Sequence, residues 1–116
     1  MYKDIPILDK NQVNSLTGNN KDFIKQVFSI AIDILPGRMD VLEDAILLGD
    51  CDVAYKVLHA MYGTISTIGG MRVGVMAKEL ESLSKIGDIE SLHSRMPEFK
   101  NAYQELLEAM REFIEE

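Results

Sequence analysis

Two histidines and one cysteine are the side chains of this sequence best suited to nucleophilic or metal chemistry, and their neighbours decide among the uses. His59 lies in Val57-Leu58-His59-Ala60-Met61-Tyr62-Gly63, within a stretch where Ala54, Leu58, Met61 and Ile65 recur at helical spacing. At about 100° per residue the imidazole falls off that apolar stripe, toward an edge shared with Tyr55, Lys56, Tyr62, Gly63 and Ser66. Glycine in mid-helix costs about 1 kcal/mol relative to alanine, so Gly63, one turn past His59, calls for a reason. Either the missing side chain leaves the ring in a clearing open to a large approaching group, or it lets a second helix pack close and His59 is an ordinary boundary residue.

The other candidates carry less. Glu90-Ser91-Leu92-His93 is a Glu-x-x-His step of the kind that presents two metal ligands from one helix face. Such sites need a second step, and His59 has Lys56, not a carboxylate, three residues before it. His93 therefore reads as a solvated residue near a helix start, and no metal site is expected. Cys51 stands between Asp50 and Asp52, which offer no positive charge to hold a thiolate, and a lone cysteine cannot form an internal disulfide. Thr64-Ile65-Ser66-Thr67-Ile68-Gly69-Gly70 lacks the lysine of a phosphate-cradling loop, and no Gly-x-Ser-x-Gly elbow occurs.

The elements that must position His59 read as helices throughout. Ile89, Leu92, Met96, Phe99, Tyr103, Leu106, Met110 and Phe113 recur at steps of three and four, which predicts a long C-terminal helix. Pro97 either kinks it or separates a short helix from a longer one. Asp88 suits its N-cap, as Asp50 suits that of the His59 helix, which Gly69-Gly70 closes. A third stripe passes through Val73, Met76, Leu80 and Leu83 to Gly87. A fourth covers Phe23, Val27, Phe28, Ile30 and Ile34 and resumes at Met39, Leu42, Ala45 and Ile46, with Pro36-Gly37 either breaking or bending the helix between. Asp9-Lys10-Asn11-Gln12 resembles a capping box and opens a short helix ending near Gly18. No segment alternates with period two for long enough to make a strand. The expected fold is all-α: one domain over 1–116, an antiparallel up-and-down four-helix bundle with a short extra N-terminal helix.

Composition agrees with this and narrows the partners. A chain of 116 residues with 47% apolar side chains can bury one real core. With 12 basic against 19 acidic residues the net charge is −7, a poor match to the phosphates of nucleic acid or to an anionic membrane surface. The longest apolar runs fall far short of a membrane span. Met1-Tyr2-Lys3-Asp4-Ile5-Pro6 lacks the basic and apolar regions of a secretion signal, so the expectation is a cytoplasmic protein.

The stretch His59-Ala-Met-Tyr-Gly63-Thr-Ile-Ser-Thr-Ile68-Gly69-Gly70, followed by Val73, Ala77 and Leu80-Glu81, resembles the histidine-containing phosphotransfer (HPt) domain. That family's pattern is a histidine, a basic residue three later, glycine four later, then Ile/Leu-Gly-Ala, spaced apolar positions and a Leu-Glu pair. Phe23 to Phe28, the Leu35-Pro36-Gly37 bend, Leu42 with Ala45, and Gly49-Asp50 stand at the expected distances before His59, so the likeness covers most of the chain. The sequence departs from the pattern at Tyr62, where the family usually has lysine; tyrosine offers only a hydroxyl donor. Lys56, one turn before His59, is the candidate replacement for that charge.

The resemblance implies a phosphorelay intermediate. Nε2 of His59 would attack the aspartyl phosphate of a response-regulator receiver domain, reversibly, and the receiver would bring its own carboxylates, magnesium ion and lysine. The chain itself would be a carrier without cofactor, not an enzyme, and a monomer serving receivers or a hybrid sensor kinase. Docking would use Tyr55, Lys56, Tyr62 and Gly63, with Ser66 and Thr67 as candidate hydrogen-bond donors to the phosphoryl oxygens; each tyrosine has the alternative of merely covering the rim of the core. The competing reading is a degenerate bundle that binds a receiver or other protein without being phosphorylated.

Overall fold

A computed structural model describes residues 2–116, and every regular element among them is a helix. The order is α1 (Lys10–Thr17), α2 (Lys21–Leu47), α3 (Cys51–Thr67), α4 (Met71–Lys85) and α5 (Ile89–Glu115). Aspartate or asparagine opens four of the five. Asp9 accepts from the amides of Asn11 and Gln12, Asn20 from Phe23, Asp50 from Val53 and Asp88 from Ser91, each cap being worth about 1 kcal/mol. Gly18, Gly49, Gly69 and Gly87 follow the first four helices with φ between 63° and 80°, the left-handed stop that glycine adopts without steric cost.

Neither proline ends its helix. Pro36 sits inside α2 and Pro97 inside α5, although an interior proline costs about 3 kcal/mol. Around Pro36 the buried residues Phe28, Ala31, Leu35, Met39, Leu42, Ala45 and Ile46 continue one stripe. Burying several such side chains at roughly 1.5–3 kcal/mol each outweighs the lost hydrogen bond. The buried face of α2 is one residue out of step with the expected stripe. Ile24, Phe28, Ala31 and Leu35 are buried, whereas Phe23, Ile30 and Ile34 are exposed and Val27 is half-buried. Two apolar rows lie side by side on this helix, and its neighbours cover only one of them.

Helix α3 packs on α2 and α4, α5 packs on α2 and α4, and α1 touches α2. One core draws on all five: Val13 of α1, the α2 stripe, Ala54, Leu58, Met61 and Ile65 of α3, Val73, Met76, Ala77 and Leu80 of α4, and Leu92 to Phe113 of α5. Tyr103 is part of it, and burial first, with the nearby Asp40 charge second, pushes its phenol up to about 12. The segment before α1 is tied down by Arg72, whose guanidinium donates to the carbonyls of Ile5 and Lys3, while Asp9 donates its amide to Gly69. Among the described residues no helix is long and apolar enough to cross a membrane.

Candidate functional site

The ring of His59 is positioned by what surrounds it on α3. Ala54, Leu58, Met61 and Ile65 are fully buried and lock the rotation of the helix, so the residue after Leu58 projects at its shoulder. The His59 side chain is 66% exposed. One ring nitrogen is nevertheless fixed, with Nδ1 2.9 Å from Oε1 of Glu81 on α4. Glu81 follows Leu80 on the face that α4 turns to α3 and is only 5% exposed. A carboxylate accepts, so Nδ1 carries a proton, and in the neutral form of the ring the lone pair is on Nε2. The buried partner fixes both the tautomer and the orientation of an otherwise solvent-facing ring.

The second oxygen of Glu81 has no aligned hydrogen bond. Its charge is met instead by the ammonium of Lys78, 3.4 Å away and one turn earlier on α4. The same ammonium stands 4.9 Å from the centre of the Tyr62 ring, within cation–π range. On the other side, Tyr55 lies nearly parallel to the imidazole, with ring centres 6.2 Å apart and planes inclined at 15°. His59 is therefore bordered by two aromatic rings from its own helix and by a Lys–Glu pair from the next.

Gly63 is exposed, and a Cβ placed on it would meet no atom within 4 Å. Close helix packing does not explain this residue; open space beside the imidazole is what it leaves. Tyr55, Tyr62 and Gly63 share the edge of α3 with His59. Lys56 is exposed and its ammonium has no ion pair or hydrogen bond to the other described residues, so the cation gathered at the site is Lys78 and not Lys56. Ser66 and Thr67 lie two turns further along, about 10–12 Å down the axis, and both hydroxyls donate to the carbonyl of Gly63. They border the exposed flank but are placed too far to reach a group on His59. Arg38 of α2 clamps the same turn by donating to the Ala60 carbonyl and the Thr64 hydroxyl.

Glu81 and Lys78 are the two site residues that the sequence pattern did not assign. A signal for Glu81 exists: Ala77, Leu80, Glu81 and Ser84 fall on one buried face, so a carboxylate occupies a core position of the α4 stripe. Lys78 has no comparable signal, because an exposed lysine on a helix is ordinary. His93 is exposed beside a cleft of about 480 Å³ lined by Ile46, Leu47, Met96 and Pro97 with the Glu43–Lys100 ion pair. The described residues hold no group of three or more His, Cys, Asp or Glu side chains placed to bind a metal ion.

Chemically, the arrangement offers a nucleophile with little else. In its neutral form, an imidazole with the proton held on one nitrogen and a lone pair on the other can attack an electrophile brought to it. The ionisable groups gathered beside it are the Glu81 carboxylate and, through that carboxylate, the Lys78 ammonium. No family model, curated protein or solved structure compared with this chain matches it.

Proposed function

We propose that this protein is a histidine phosphotransfer intermediate of a phosphorelay, taking a phosphoryl group from the aspartate of a response-regulator receiver domain onto Nε2 of His59 and passing it on. One observation carries this reading: an exposed imidazole whose Nδ1 is held by a buried carboxylate 2.9 Å away, so that Nε2 is the reactive nitrogen. In the transfer the Nε2–P bond forms as the P–O bond to the aspartyl carboxylate breaks, and the electron pair leaves with that carboxylate. The Nδ1 proton stays on the ring, and the positive charge that develops there faces Glu81. The same charge makes the ring a good leaving group in the return step.

Phosphoryl transfer of this kind is mostly positioning and charge neutralisation. A carrier that presents one ring can leave the magnesium ion and the acidic pocket to the receiver. Gly63 gives such a domain room to approach, and Tyr55, Tyr62 and Lys56 border the approach. The scaffold that fits is an antiparallel up-and-down four-helix bundle of α2 to α5. It accords with three-residue connections such as Leu48–Asp50 and Ile68–Gly70, and with α2 and α4 each packing on both α3 and α5. The reading is of a carrier that works in the cytoplasm, as a monomer.

The test is to mix the protein with a purified receiver domain phosphorylated in magnesium and follow labelled phosphate. Acid-labile, base-stable label on the wild type and none on His59→Gln is the expected result. Receiver binding without label would establish instead a bundle that docks and does not accept the group.

A further inference from the structure

A phosphoryl group on Nε2 of His59 raises an electrostatic difficulty specific to this site. The arriving group is an anion, the carboxylate of Glu81 is already hydrogen-bonded to the same ring, and the chain as a whole carries a net charge of −7. Some cation must offset the repulsion, and α3 does not place one there: the residue three past His59 is Tyr62, and Lys56 has no partner that directs it toward the ring. Resting on the phosphotransfer reading above, we propose that Lys78 of α4 is the phosphoryl-neutralising residue, held ready by the Tyr62 ring and the unbonded oxygen of Glu81.

The geometry has three parts. The Lys78 ammonium is 3.4 Å from Oε2 of Glu81, whose Oε1 is 2.9 Å from the His59 ring. It also lies 4.9 Å from the centre of the Tyr62 ring, which gives a resting place that does not consume its charge in a well-aligned hydrogen bond. Its side chain is 56% exposed, so four rotatable bonds leave it free to turn from Glu81 to the oxygens of an incoming phosphoryl group. Tyr62 thereby acquires a role of its own: its ring positions a charge supplied by the neighbouring helix. Lys85 and Ser82 line the same small cleft as Lys78, Glu81 and Tyr55. Lys85 adds positive potential along this edge of α4 but makes no ion pair or hydrogen bond with Glu81 or His59.

The experiment uses phosphoramidate, a small anionic phosphoryl donor, so that no partner is required. Labelling of His59 is timed in the full-length wild type, Lys78→Gln and Lys78→Arg, with the exposed His93 as an internal reference. The expected result is labelling of His59 slowed about two- to fivefold in K78Q at low ionic strength, the size of an exposed charge contact. The deficit should close near 1 M salt as screening removes it. K78R should restore the rate, and so should the Y62K/K78Q double variant, which supplies the cation from α3. Imidazole ¹⁵N shifts should retain the Nδ1–H tautomer in K78Q. Equal rates in wild type and K78Q at low salt would overturn the proposal. So would a deficit that ignores salt and accompanies a changed tautomer, because Lys78 would then act only through Glu81. Failure of the phosphorelay reading looks different: His59 is labelled by phosphoramidate and not by a phosphorylated receiver.

Discussion

Replacing Glu81 separates what this residue does for the ring from what it does for the fold. Glu81→Leu removes the acceptor of the Nδ1 proton, so the ring turns freely and no longer reserves Nε2 for attack. A hydrogen bond involving a charged group is worth about 1.5–3 kcal/mol. With His59 66% exposed, water competes and the lower end applies. At about 1.4 kcal/mol per decade, E81L should accept a phosphoryl group roughly tenfold more slowly in single-turnover transfer from a phosphorylated receiver. Glu81→Gln keeps an oxygen acceptor and loses the charge, so its rate should fall between the two. Stability should move the other way. The carboxylate is buried with one oxygen lacking an aligned hydrogen bond, and both of its partners, the His59 ring and the Lys78 ammonium, are exposed. Removing one member of a buried pair is costly when it strands the other charge inside; here the groups left behind are solvated and no buried charge is stranded, so E81L should melt at or above the wild-type temperature. Transfer at the wild-type rate in E81L, or a rate loss matched by loss of folded protein, would refute the assignment.

Three further outcomes follow from the same geometry. Gly63→Ala should raise stability by about 0.5–1 kcal/mol in urea unfolding, because the backbone there is helical and the new Cβ meets nothing; Gly63→Leu should also fold, yet slow transfer from a receiver by obstructing the approach to His59. Leu58→Ala, beside the histidine but wholly within the core, should cost about 2–5 kcal/mol of unfolding free energy and leave transfer per folded molecule nearly intact. The Asp88 carboxyl is held below its ordinary value, first by the Ser91 hydroxyl and then by the Ser91 amide. Its contribution is therefore full above the unfolded carboxylate value and is lost as pH falls through the folded one. The gap in urea midpoint between wild type and Asp88→Ala should be constant above about pH 5 and narrow below about pH 4.

Much of this molecule is readable in its sequence, and the unreadable parts have physical causes. Asp50, Asp88 and Gly69 mark helix ends because caps and left-handed stops are local chemistry, settled by a few adjacent residues. Pro36 is not local. Whether it breaks α2 depends on the core stripe from Phe28 to Ile46 that holds both halves in place. The stripe expected through Phe23, Ile30 and Ile34 misses the buried face of α2 for a related reason: it is as regular a row as Ile24, Ala31 and Leu35, and only the packing of α3 and α5 chooses between them. At the site, His59 and Gly63 stand out in sequence because they are unusual on a helix. Their partners Glu81 and Lys78 come from another helix, at a distance that only the α3–α4 packing closes.

Which imidazole nitrogen takes the phosphoryl group can be read by ³¹P–¹⁵N correlation spectroscopy on histidine-labelled protein after exposure to a phosphorylated receiver. One phosphorus–nitrogen bond is expected, at Nε2 of His59, with the proton retained on Nδ1. Phosphorus bonded to Nδ1, found on His93, or absent from both imidazoles while the receiver loses its phosphate would contradict it.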